Sequence, residues 1–216
     1  MAEGDIIAPI KPKKKRIPWW KKAMVIIPII FLSTWALAMW NPLEGSEERP
    51  ENVFDISGYT FFELDDGTYG TYVMANDNKI PVAFRLDPRN ASEIYLEQEV
   101  IQPILNSAKV YITFNPNQEN LAKIAVASAE IARITGLYGI NTVGAYTEDS
   151  DPVNPNVPLK TCNDANNQTS IIIMEITDST GVSLGENNCI HVKGETADDL
   201  ILAADKLGFN LLGIKV

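Results

Sequence analysis

The alternation of apolar and polar positions divides the chain near residue 40. "AMVIIPIIFLSTWALAMW", Ala23 to Trp40, carries no charge. At about 1.5 Å per residue it reaches roughly 27 Å, close to the ~30 Å hydrocarbon core of a bilayer. Trp19 and Trp20 stand at one end, Trp35 and Trp40 at the other, where indole rings meet headgroups. Pro28 bends such a helix without breaking it, because no water competes for the freed carbonyl. The pattern predicts a transmembrane helix over 23–40. Residues 41–52, rich in Pro, Gly, Ser and acid, read as a tether.

From residue 53 the pattern changes. "GYTFFEL" and "TYGTYVMA" flank an Asp-Gly turn, and "ANDNK" leads into "IPVAFRL", so three strands form a β-meander. "DPRNASEIYLEQEVIQPILNSA" predicts a turn and a short helix, weakened at its end by Pro103. "AKVYITF" is a strand. The helix after it has Asn115 as N-cap, Pro116 first and Gln118 third. Its predicted buried stripe is Leu121, Ile124, Ala125, Ser128, Ile131 and Ala132, with Gly136 and Gly139 as stop signals. "INTVGAY" then follows as a strand parallel to the first. "SIIIMEI" and "NNCIHVK" read as two paired strands across "TDSTGVSLGE". Thr196 and Asp199 open a last helix that buries Leu200, Ala203, Ala204, Leu207 and Leu211 and ends at Gly213. The expected fold class is α/β: a transmembrane helix, then one domain over 53–216 with a mixed sheet, a β-meander and two main helices covering one face.

Charge fixes the orientation. Residues 1–22 hold seven basic and two acidic side chains, a net +5, while the remainder holds 11 basic and 26 acidic, a net −15. The basic arm lies directly before the span, which places the N-terminus in the cytoplasm and 53–216 outside the membrane. A cleavable signal peptide ending after Ala38 is the competing reading, since Ala36-Leu37-Ala38 is a small-x-small site. A domain at −15 repels nucleic acid and anionic headgroups, which excludes nucleic-acid binding as a role.

Only two cysteines occur, Cys162 and Cys189, and both fall outside the membrane in this topology. With a single histidine, His191, and no C-x-x-C, the set for a structural zinc site is missing. An oxidising compartment and an even count predict a Cys162–Cys189 disulfide. A thiol oxidoreductase would instead need Cys189 free beside His191, two residues on and on the same strand face. Asn167-Gln168-Thr169 and Asn90-Ala91-Ser92 are glycosylation sequons on the correct side. Glu148, Asp149, Asp151 and Asn154 lack the EF-hand spacing and read as a solvated loop. Asn115, Asn117 and Tyr146 fall where strand ends meet a helix start, a common place for a ligand crevice in α/β sheets. H-E-x-x-H is absent, and no catalytic residues or cofactor are expected.

"KVYITFNPN", "TCNDA", "NNCIHVKG" and "ADKLGFNLLGI", behind a basic arm and one span, resemble a loose group of small single-pass membrane-anchored proteins of archaea with no known activity. The resemblance covers the chain from about residue 84 onward, and its most specific parts are the two cysteines and the final helix. It implies an archaeal envelope setting, where glycosylation is common and acidity unremarkable, and it transfers no catalytic residue. The expected function is a membrane-anchored extracytoplasmic binding or structural module, an accessory component of an envelope assembly or membrane complex. Its expected partners are the bilayer, through 23–40, and other envelope proteins. The alternative is a small-ligand-binding or enzymatic domain using the crevice near Asn115.

Overall fold

Period-two alternation builds the first sheet. Val53–Ile56 (β1), Tyr59–Glu63 (β2), Tyr69–Ala75 (β3) and Asn78–Phe84 (β4) pair antiparallel in sequential order. Phe61, Val73, Val82 and Phe84 point inward and are buried. The Asp-Gly turn holds as expected, with Gly67 at φ +77°. β1 is an addition to the three predicted strands. The computed structural model describes residues 52–75, 77–148 and 156–216, within one unit that runs from Pro50 to Val216. The basic arm, the predicted span, nearly all of the tether, and Asp149, Asp151 and Asn154 lie outside the described residues. No helix among the described residues is long and apolar enough to cross a membrane.

The predicted short helix after the meander is broken into pieces. A 3₁₀ turn at Asn90–Glu93, a two-residue strand at Tyr95–Leu96 (β5) and a second 3₁₀ turn lead into Ile101–Asn106 (α1). Val100 and Ile104 anchor it in the core. The second sheet comprises β5, Lys109–Phe114 (β6), Asn141–Tyr146 (β7), Thr169–Ile176 (β8), Gly181–Leu184 (β9) and Cys189–Gly194 (β10). Its order is β5-β9-β10-β8-β6-β7. β10, β8, β6 and β7 are mutually parallel, while β9 runs antiparallel to β10 and parallel to β5. The sheet is therefore mixed. β8 and β10 do pair, but in parallel, because the connection between them contains β9.

Leu121–Leu137 (α2) and Ala197–Leu211 (α3) pack on each other and on one face of this sheet, against Val110, Ile112, Ile172, Met174, Ile190 and Val192. The meander covers α3 from the other side. Phe209 lies 3.9 Å from Phe84 and 5.9 Å from Phe61 between ring centroids. Burying one such ring contributes about 1.5–3 kcal/mol. A helix held between two sheets has no wet side, and Ala203 to Phe209 are all buried in sequence. The predicted stripe of α3 is buried as read, but burial runs all the way round.

The predicted start of α2 is corrected. The helix begins at Leu121 behind Asn120, whose backbone is left-handed at φ 63°, and not behind Asn115. Asn115 forms a turn, its Oδ1 accepting the Asn117 N–H at 2.8 Å. The buried face is Ile124, Ala127, Glu130, Ile131, Ile134 and Thr135, while Leu121 and Ala125 are exposed. Gly136 lies within the helix, and Gly139 ends it with φ +72°. Ile140 N–H donates to Thr135 O and Gly139 N–H to Gly136 O, the Schellman arrangement, and Gly213 closes α3 in the same way. The capping box of Thr196 and Asp199 is present in full. At Gly194 a Cβ would sit 2.2 Å from the Leu200 backbone nitrogen, so a side chain there would push the strand off the helix start.

Candidate functional site

The face of the six-stranded sheet away from the helices gathers the chemistry. Alternation on β8 turns Ile171, Ile173 and Glu175 outward, and on β10 Cys189, His191 and Lys193. A loop covers the end of this face through Cys162 and Ala165, which pack with Ile171, Cys189 and Tyr111. Thr161 and Asp164 cap the 3₁₀ turn of Cys162–Asp164 reciprocally and so fix Cys162 above the sheet. The two sulfurs are joined at 1.99 Å across a separation of 27 residues. The predicted disulfide is formed.

His191 lies beside it. Its Nδ1 is 2.8 Å from Glu175 Oε1, and its Nε2 is 3.7 Å from Cys162 Sγ. The contact is therefore with Cys162, on the covering loop, as well as with the strand neighbour Cys189 that the sequence spacing suggested. Gly185 packs flat against the ring, since a Cβ there would come within 3.0 Å of Nε2. The hydrogen bond from His191 holds Glu175 below the usual carboxylate range, against the opposing effect of burial. Nearby, Lys160 donates to Asp164 Oδ1 at 2.8 Å, which lowers the carboxyl and raises the ammonium. Lys160 also stands over the Tyr111 ring.

The ligand atoms of Cys162, Cys189 and His191 all lie within 4.8 Å of one another. Sulfurs joined to each other offer no thiolate, so the oxidised pair is not a thiolate metal site. Sequence reasoning passed over Gly181-Val182-Ser183-Leu184-Gly185, which has G-x-S-x-G spacing. Ser183 lies opposite His191 in register. It sits within strand β9, however, whereas a nucleophile elbow requires a sharp strand-to-helix turn.

The predicted crevice residues lie at the ends of β6 and β7. Asn117 Nδ2 donates to Glu148 Oε1 at 3.1 Å, and Tyr146 meets Phe114 edge to face at 5.4 Å. These groups lie together at the ends of β6 and β7, where Asn115 and Asn117 are engaged in the turn and with Glu148. An open groove of about 610 Å³ lies elsewhere, lined by Ile94, Tyr95, Gln98, Lys206 and Asn210. Both sequon asparagines are exposed: Asn90 starts a 3₁₀ turn and Asn167 sits in the tight turn between Asn166 and Thr169.

The outward face of the meander carries a feature the sequence reading did not isolate. Val53, Tyr72 and Met74 are 57%, 46% and 69% exposed on one sheet face. Phe62 lies across Gly70 and packs on Tyr72 at 5.8 Å, and Lys79 stands over the Tyr72 ring. The signal was the second aromatic of Phe61-Phe62, which alternation must turn outward once Phe61 faces in. No protein-family model, curated protein or solved structure matches this chain.

Proposed function

We propose that this chain is a membrane-anchored extracytoplasmic module that acts by binding another envelope protein. The anchor is the apolar run 23–40 behind its basic arm, and the disulfide suits an oxidising compartment outside the membrane. The observation that carries the binding role is the apolar stripe of Val53, Phe62, Tyr72 and Met74 on the meander. Four large apolar side chains on neighbouring strands resist water poorly when left open, and contiguous patches of this kind mark interaction surfaces. Tyr72 and Phe62 are the aromatic anchors such a surface needs, and Lys79 supplies a charged rim.

Solubilising native membranes in mild detergent and purifying the tagged full chain should recover a stoichiometric membrane or envelope protein. A Tyr72→Glu/Met74→Asp variant should fold, because both side chains face outward, and should lose that partner. Recovery of the unmodified chain alone, or equal recovery with the variant, removes the docking role.

A further inference from the structure

We infer that the Cys162–Cys189 disulfide is an exchangeable thiol–disulfide couple, with His191 its acid–base group and Glu175 the residue that positions the imidazole, and that its substrate is a dithiol of an exported protein. The inference concerns the six-stranded sheet and goes beyond the docking role of the meander. It stands on the order of groups: Glu175 Oε1, His191 Nδ1 at 2.8 Å, His191 Nε2, then Cys162 Sγ at 3.7 Å. Nδ1–H donating to the carboxylate leaves the Nε2 lone pair facing the sulfur. A disulfide that only staples a fold needs no imidazole against it. The two cysteines also differ in access: Cys189 is fully buried, whereas Cys162 is half-buried on the covering loop. His191 and Glu175 keep 27% and 33% of their side chains exposed, so the pair meets solvent.

The asymmetry sets the direction of attack. A substrate thiolate attacks Cys162 Sγ, the S–S bond breaks, and its electron pair goes to Cys189 Sγ, which takes up a proton. The substrate's second thiol then attacks its own sulfur in the mixed disulfide. His191 Nε2 accepts the proton of that second thiol as it attacks, and returns it to Cys162, which leaves as a thiolate. One substrate disulfide forms, two electrons pass to the cysteine pair, and the two thiol protons of the substrate end on Cys162 and Cys189. In reverse, His191 withdraws the Cys162 proton and the thiolate attacks a substrate disulfide, with Cys189 resolving the product.

The test uses the folded full chain in detergent with dithiothreitol as the dithiol. Thiol alkylation and mass measurement follow reduction, and circular dichroism follows the fold. The wild-type disulfide should reduce while the protein stays folded. His191→Gln should slow reduction by about 100-fold. It should also remove a step from the pH profile of the rate, the surrounding charges of Glu175 and Lys193 being unchanged. Glu175→Gln should slow it less and displace that step. Cys189→Ser should trap a small aromatic disulfide as an adduct on Cys162. Reduction that occurs only with unfolding, or a rate and pH profile indifferent to His191→Gln, overturns the inference. Neither outcome depends on the meander surface.

Discussion

Asp205 shows what a helix between two sheets does to one side chain. Its carboxyl is fully enclosed; Oδ2 accepts the Leu86 N–H at 3.2 Å, and Oδ1 has no partner. Burial pushes its pKa up to about 7, opposed by the Leu86 N–H and reinforced by the charge of Glu130. An acid whose folded pKa is raised weakens the fold as pH rises. Between about 4 and about 7 the folded chain keeps a proton that the unfolded chain has released, so stability falls across that window and is level above it. Asp205→Asn removes this dependence. Urea unfolding at pH 8 should find the variant more stable by about 2 kcal/mol, an order-of-magnitude figure. The two proteins should converge near pH 4, and parallel pH curves would sink the assignment. Glu130, buried nearby on α2, has both oxygens engaged, by Arg85 at 3.2 Å and Arg133 at 2.7 Å.

At the scale of elements, α3 joins the two sheets through its aromatic contact. Phe209→Ala removes the ring that meets Phe61 and Phe84, and should cost about 3–5 kcal/mol by chemical denaturation. A loss under 1 kcal/mol would mean that the meander is held by other contacts. The ends of this helix were legible in the sequence because caps are local: Thr196, Asp199 and Gly213 carry their own instructions. The start of α2 was not. Asn115 closes an Asx turn with its side-chain oxygen, whereas Asn120 precedes the helix in a left-handed backbone with no side-chain cap, and the residue type alone does not separate the two. The buried face, turned toward Ala127 and Ile134, is set by the packing of α2 on α3 and the sheet.

For the whole molecule, the disulfide was legible by count and compartment, and its neighbours were not. Glu175 and His191 are 16 residues apart in sequence and meet only because β8 and β10 lie side by side in parallel. Cys162 reaches them from a loop whose path no periodicity records. Replacing both cysteines by serine should lower stability by about 3.5 kcal/mol, from the chain entropy of a 27-residue separation. Urea titration of the double variant against the oxidised protein checks this. An equal midpoint would mean that the unfolded chain is already constrained.

The place of β10 has a consequence for how the domain is made. It lies between β9 and β8, yet it is the last strand in sequence. Until it emerges, β8 and β9 each present an open edge, and the hydrophobic side of the sheet lacks α3. Folding must therefore await nearly the whole chain, with long-range pairing as the slow step. A nascent domain stalled before Cys189 is a sticky, aggregation-prone species. The native Cys162–Cys189 bridge likewise waits for the strand that carries Cys189.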